Sequence, residues 1–295
     1  RDRSVSRGLG DVYKRQDFCL GPCDITVSDD RIVGLIGSNG AGKTTLFKLL
    51  LGMIRPDSGS ITLLGVDILD PTANVDTLKQ RIGVVLDTCA FPVTMKVNDV
   101  DSLGIASYPN WDRPYFRSLC ERFDLAPKKL VKDLSRGMGM KLSLVFALAH
   151  HPELLILDEA TAGLDPIARD EILDMLRAFM EEEGHGILMS SHITTDLEKI
   201  SDEIICIDHG SFVFSLPKEA LCDEAGIAHC RTADVEAIAA SPYAQAYTLH
   251  ALSRGLSIDL LVPDRFAFAQ AFPAIPTERA TIEDYMTIML TGDKL

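Results

Sequence analysis

No run of about 18 consecutive apolar residues occurs in the chain, so no helix long and apolar enough to cross a membrane is expected. The N-terminus lacks the short apolar core of a secretory signal. Positive charge is scarce: 29 Lys and Arg stand against 43 Asp and Glu, and the formal net charge of −14 argues against broad electrostatic binding to nucleic acid or anionic lipid. The seven cysteines (19, 23, 89, 120, 206, 222 and 230) form no disulfide framework, which is the pattern of reduced thiols in a cytosol. Cys19 and Cys23 have the spacing of half a zinc site, but no second ligand pair follows. Repeats and low-complexity tracts are absent. What is present is 295 residues with 46% hydrophobic content, enough for one large domain or a domain plus an appendage.

Residues 6–16, SRGLGDVYKRQ, match neither strand nor helix patterning. They resemble the in-frame translation of a transposon-end adapter used in sequencing libraries, and one codon choice reproduces that adapter throughout. On this reading residues 1–16 are non-native, native sequence starts near Asp17 and its true beginning is missing. The plain alternative is an ordinary polar N-terminus.

Further on, residues 24–37 predict a strand, a polar turn at 28–30 and a buried strand Ile32–Ile36. A glycine-rich loop then opens into a helix on which Leu46, Leu49, Leu50 and Leu51 cluster. RPDSGSITLLG supplies turn residues and a short strand, and RIGVVLD a strand ending near Asp87. From Val93 to His150 the apolar spacing is helical and predicts a separate subdomain. ELLILDEA is a continuous apolar run bounded by charge, as expected of a buried parallel strand. Residues 167–183 predict a helix with Ile172, Leu173, Leu176 and Met180 on one face. GILMSSH and EIICID read as two further strands, the second turning back through His209-Gly210. Alternating strands and helices imply an α/β fold with a mainly parallel sheet covered on both faces and an antiparallel β edge. After about Ser215 the signals shorten, leaving residues 216–295 for a small C-terminal α+β appendage.

Residues 37–44, GSNGAGKT, satisfy G-x-x-x-x-G-K-[ST] between an apolar strand and a helix. Gly37, Ser38, Asn39, Gly40, Ala41, Gly42, Lys43, Thr44 and Thr45 are therefore the candidate phosphate cradle. Glycines belong there because backbone N–H groups must converge on phosphate oxygens that side chains would block. Lys43 would reach the terminal phosphates, and the Thr44 hydroxyl would bind Mg²⁺. Asp158, ending the run LLILD, is the candidate for the Mg²⁺ shell, and Glu159 the candidate general base that polarises water. The plain alternative leaves this acidic pair as a strand end in solvent. LDEAT has the look of a helicase box, but no Q-x-x-G-R-x-x-R segment follows and the charge is wrong for a nucleic-acid motor. A guanine-reading N-K-x-D is also missing.

Residues 133–142, DLSRGMGMKL, decide among these families. A Ser and two glycines precede an apolar helical run, and Ser135 lies 23 residues before Asp158. This arrangement resembles the ATP-binding cassette (ABC) family, whose signature reads L-S-G-G-Q at this place. AGLD, ending at Asp165, matches the family's D-loop, and His192 in SSH matches its switch histidine. The resemblance covers about Asp17 to Ser215 in five ordered motifs. Less specifically, YPNWDRPYFRSLCERFDL and RATIEDYMTIMLTG look like bacterial cassettes that serve ABC-2-type exporters.

The resemblance implies a P-loop ATPase domain at 17–215 with an inserted helical subdomain at about 93–150, and an accessory region at 216–295. It further implies ATP and Mg²⁺ as cofactors, with Glu159 and His192 catalytic. Two cassettes, identical or different, would pack head to tail, so that Ser135 and the Gly137 amide meet the γ-phosphate of the partner chain's ATP and Asp165 lies in the D-loop beside it. The other implied partner is an integral membrane permease, with the cassette cytoplasmic on the inner face of the membrane; no nucleic acid is implied.

Three departures qualify that picture. Arg136 stands where the signature's first glycine is usual, either adding a donor near phosphate or pointing into solvent, and Met138 replaces its glutamine. Asp87 aligns with the Q-loop glutamine; a carboxylate still suits a metal or its water, but it is shorter and charged, which puts coupling in doubt. The adenine-stacking aromatic falls near Tyr13 or Phe18 and is unassigned; loss of the first strand would weaken nucleotide binding. An exporter ATPase is the leading reading. A nucleotide-binding regulatory cassette with little turnover is the alternative, motivated by the altered Q-loop and signature and opposed by Glu159 and His192. A cassette of translation or DNA repair would bring a second cassette or a coiled-coil insertion, and neither is seen.

Overall fold

In the computed structural model residues 13–15, 18–21, 23, 25–255 and 257–295 are described. Residues 1–12, 16 and 17 of the suspected adapter region and its junction lie outside them. Strand β1 (Tyr13–Arg15) pairs antiparallel with β2 (Phe18–Leu20), both described by their backbone, so the side chains of Tyr13 and Phe18 lie outside the described features. Next come β3 (Ile32–Ile36), α1 (Lys43–Leu50), a hairpin of β4 (Thr62–Leu63) and β5 (Val66–Asp67), α2 (Val75–Lys79) and β6 (Ile82–Val85). Helices α3 (Val97–Ser107), α4 (Arg113–Arg122) and α5 (Arg136–Leu148) precede β7 (Leu154–Asp158), α6 (Pro166–Phe179), β8 (Gly186–Ser190), α7 (Thr194–Ile200), β9 (Glu203–Asp208) and β10 (Ser211–Pro217).

These strands form a six-stranded sheet in the order β10-β9-β3-β8-β7-β6, parallel from β9 to β6, with β10 antiparallel at one edge. The edge strand is kinked by a register shift between Phe212 and Phe214. Strand side chains alternate between two cores, as the two-residue period requires. Val33, Leu35, Leu154, Ile156, Ile205 and Ile207 face α1, meeting Leu46, Leu49 and Leu50. Ile32, Ile36, Leu155, Leu157, Ile204 and Cys206 face the opposite core with Leu142, Val145, Leu173 and Leu197. Because both faces are covered, the strands read as unbroken apolar runs rather than alternating ones.

The helical insert is less separate than its spacing suggests. Val97, Val100, Phe116 and Leu119 belong to the same continuous core as Leu155 and Leu157, because α5 is buried on the sheet and carries α3 and α4 with it. Burial also explains the cysteines: it pushes the Cys120 and Cys206 thiols up to about 12, so they act as small apolar core groups.

Two local expectations need correction. Among the described residues, 25–28 join no sheet, although Ile25 and Val27 are buried as their alternation predicts. The helix expected over 167–183 ends at Phe179 with Met180 as its cap. Glu181, Glu182 and Glu183 would set three negative charges on the negative end of the helix dipole, and Gly184 follows.

The C-terminal region holds β11 (Gly226–Cys230), α8 (Thr232–Ala239), α9 (Pro242–Ala246), β12 (His250–Ser253), β13 (Ile258–Val262), α10 (Arg265–Ala271), β14 (Thr277–Arg279), α11 (Ile282–Thr291) and β15 (Asp293–Lys294). An antiparallel sheet in the order β14-β11-β13-β12-β15 packs Ala228, Leu260 and Val262 against Ile238, Tyr243 and Phe268 on one face. Its other face packs Ile227 and Leu261 against Ile288 of α11. That helix also turns Ile282 into the core of the larger sheet, and its Tyr285 ring meets Phe214 edge-on at 5.1 Å. The Ile282 amide donates to Glu198 Oε1 of α7 at 2.9 Å, so α11 fastens the appendage to the helix that follows His192.

Candidate functional site

The glycine-rich loop leaves the carboxyl end of β3, where open α/β sheets place their ligand crevices. At Gly37 (φ 153°) a Cβ would stand 2.0 Å from the Ile207 carbonyl oxygen, so only glycine lets the chain turn there. Gly42, with φ 117°, caps α1 in a left-handed conformation and no side chain accepts from the first turn. The first-turn amides of α1 therefore have neither a side-chain cap nor an intrahelical acceptor, which is the arrangement that receives an anion. Lys43 is 8% exposed, and its Nζ donates to the carbonyls of Gly37 at 2.8 Å and Ser38 at 3.2 Å, which tethers it over the loop.

Asp158 ends β7 beside this loop, 4% exposed, with both carboxylate oxygens engaged by hydroxyls. Thr44 Oγ1 donates to Oδ2 at 3.0 Å, and Ser190 Oγ donates to Oδ1 at 2.6 Å. Ser190 lies opposite Asp158 in the β7–β8 ladder, and its Oγ accepts from the Glu159 amide at 3.0 Å. Glu159 itself has φ 53°, a left-handed conformation that costs a non-glycine residue free energy and is typical of functional turns. Its Oε2 accepts from the His192 amide at 3.2 Å and lies 2.5 Å from His192 Nδ1, within hydrogen-bond distance in the tautomer that carries its hydrogen on Nδ1. A cavity of about 310 Å³ is lined by Asn39, Gly40, Ala41, Gly42, Lys43, Thr44, Thr45, Asp158 and Glu159.

The second glycine-rich start is built differently. Ser135 caps α5, its Oγ accepting from the Met138 amide at 3.2 Å, and stays exposed. Gly137 is buried: a Cβ there would lie 3.1 Å from the Ala168 Cβ, so the glycine lets α5 approach α6 closely. A Cβ on Gly163 (φ 69°) would sit 3.1 Å from Arg136 Cζ, so the guanidinium lies against Gly163. Arg136 is exposed, as the solvent-facing expectation has it, with its guanidinium resting beside Gly163 of the neighbouring loop in its own chain. In that loop Asp165 caps α6, its Oδ1 accepting from the Ala168 amide at 3.0 Å. Asp87 is exposed and lines a different cavity, of about 250 Å³, with Ser135, Arg136 and Gly139. It is not among the residues lining the cavity of Thr44 and Asp158, so the geometry lends no support to a metal role.

The profile of the ABC transporter family matches residues 20–162. The energy-coupling factor transporter ATP-binding protein EcfA2 of Clostridioides difficile is 32% identical over 209 residues, covering 68% of this chain and 73% of the relative. The chain belongs to the ABC transporter ATP-binding family. The Nod factor export ATP-binding protein I of Sinorhizobium fredii is 34% identical over 233 residues, covering 75% of this chain and 63% of that protein. A solved ATP-binding subunit of an ABC transporter superposes with a TM-score of 0.66 at 24% identity, covering 72% of this chain and 90% of its own, which shows the shared fold.

ABC ATPase domains bind ATP, with Mg²⁺ typical of the family, and their chains dimerise and associate with membrane permeases. The groups lining this ABC chain's cavity fit such a ligand. An uncapped helix start and Lys43 suit phosphate, while the Thr44 hydroxyl and the Asp158 carboxylate, 3.0 Å apart, are the hard oxygen donors that Mg²⁺ prefers. Sequence reasoning missed two supporting residues. Ser190 spaces Asp158 from Glu159, and the small hydroxyl two positions before His192 was its only signal. Asp208, at the end of β9, accepts from Ser38 Oγ at 2.6 Å and braces the loop; its place at a strand end could have suggested it.

Proposed function

We propose that this ABC cassette hydrolyses ATP to drive export through a separate membrane permease, working in a head-to-tail pair of cassettes. In this reading residues 17–215 are the ATPase, 216–295 an accessory region and 1–16 a non-native extension. The observation that carries it is the contact between Glu159 and His192 beside the phosphate loop. Bound Mg²⁺ would neutralise charge on the phosphates, held by Thr44 and Asp158. Lys43 and the loop amides of Gly37, Ser38, Asn39, Gly40, Ala41, Gly42 and Thr45 orient the phosphate chain. Glu159 accepts a proton from the attacking water, and His192 fixes the carboxylate that does so. Ser135 and the first amides of α5, with Asp165 nearby, face the nucleotide of the second cassette; the exposure of Ser135 supports that role.

Export in the ABC-2 manner is favoured by the likeness to the Nod factor export protein, whereas EcfA2 bears the name of an energy-coupling factor transporter. The chain would then sit on the cytoplasmic face, bound to its permease. The Glu159–His192 contact weighs against a regulatory cassette without turnover. The test is the ATPase rate of purified chain beside Glu159→Gln: the variant should lose about 100-fold or more in kcat while retaining ATP binding. Equal, negligible rates in both proteins would overturn the enzymatic reading. Co-purification with a multi-span membrane protein checks the partner.

A further inference from the structure

Beyond the phosphate loop, a charge pair between a buried carboxylate and a partly buried arginine joins two parts of the proposed machinery. Arg169, in the first turn of α6, donates from Nη2 to the Leu164 carbonyl at 3.3 Å, one residue before the Asp165 cap. Its Nε lies 3.6 Å from Asp196 Oδ2 on α7, the helix that begins two residues after His192. Asp196 is 1% exposed, and neither its carboxylate oxygens nor Arg169 Nε makes a hydrogen bond among the described residues. A carboxylate so buried needs a partner cation, and Arg169 is placed to be it. A second pair, Asp170–Lys199 at 2.8 Å, also spans α6 and α7, but it is half exposed and mostly screened.

The contacts close a ring. Glu159 binds His192; from His192 the chain runs into α7 and Asp196; Asp196 faces Arg169; Arg169 holds Leu164, five residues beyond Glu159. We infer that Arg169 and Asp196 form a positioning pair that ties the loop 162–165 to His192, so that a displacement of that loop by the second cassette moves the imidazole relative to Glu159. The pair touches no reacting atom and acts through His192. Arginine suits the place because one rigid planar cation hydrogen-bonds the loop carbonyl through Nη2 while setting its charge beside the buried carboxylate; lysine offers only a point charge.

This inference rests on the proposed roles of Glu159 and His192, and two readouts separate its failure from theirs. The full chain carrying Arg169→Met, Arg169→Lys, Asp196→Asn or R169M with D196N is compared with Lys199→Met, which breaks the exposed pair. Arg169→Met and Asp196→Asn should each lower kcat about tenfold to a hundredfold with KM for ATP within about twofold. Arg169→Lys should recover part of the loss, the double variant should cost no more than the worse single one, and Lys199→Met should stay within about twofold. The second readout needs no turnover: the His192 imidazole resonances of ¹⁵N-labelled, nucleotide-free protein should shift in the Arg169 and Asp196 variants and not in Lys199→Met. Unchanged His192 resonances in folded variants overturn the inference, even if the wild type hydrolyses nothing. So does a lowered melting temperature with kcat and resonances intact, which marks a purely structural pair. Should Arg169→Met fail to fold, the near-isosteric Asp196→Asn carries both measurements.

Discussion

Helix α1 begins at Gly42 in a left-handed conformation with no side chain accepting from its first turn, whereas α5 begins at Ser135, whose Oγ accepts from the Met138 amide. Both starts are glycine-rich, but their glycines serve different ends. Gly37 lets the first loop turn against the Ile207 carbonyl, leaving amides open above Lys43. Gly137 instead lets α5 press on Ala168. An uncapped helix start is stabilised when an anion fills it, so α1 is complete as a binding element within one chain. A capped and exposed start is stable alone and can wait for a ligand brought by another chain. The contrast separates binding, which one chain supports, from turnover, which on the proposed reading needs two.

Three substitutions sharpen or break that contrast. Lys43→Ala removes the tethered cation from the α1 site and should weaken ATP binding by the isolated chain about 100-fold or more, read by equilibrium titration with a fluorescent nucleotide. Ser135→Arg should abolish hydrolysis while ATP binding to the monomer stays within about twofold; lost monomer binding would put α5 in the same site as α1 and end the distinction. Ser135→Ala has the smallest expected effect. Loss of the cap should lower stability by about 1 kcal/mol in chemical denaturation. Unchanged stability would mean that the Met138 contact is not a working cap.

The sequence made the α1 site readable because its chemistry is local: a loop of consecutive residues, a flanking apolar strand and one acidic strand end. Thr44 and Asp158 are 114 residues apart, yet each sits at a place that strand and loop patterns mark. The α5 start was readable as a helix cap with an anion motif, but the contact of Arg136 with Gly163 was not, since it depends on how two loops approach in space. The Arg169–Asp196 pair was hidden for the same reason; both look like surface charges on amphipathic helices. The C-terminal sheet was legible only as short mixed signals, because its strands run from two to five residues and carry too few alternations to register. Residues 25–28 show the converse error, in which alternating burial does not require a partner strand.

The kink between Phe212 and Phe214 has a consequence for how copies of this chain meet. β10 is an edge strand, and its bend, with Pro217 at its end, breaks the straight row of backbone donors and acceptors that a neighbouring strand would need. The opposite edge, β6, offers only four residues, and the smaller sheet ends in β14 and β15 with three and two. Among the described residues, neither of these two sheets presents a long straight edge as a template for lateral growth. Self-association is thereby steered away from strand-to-strand zippering and left to the helix starts and loops.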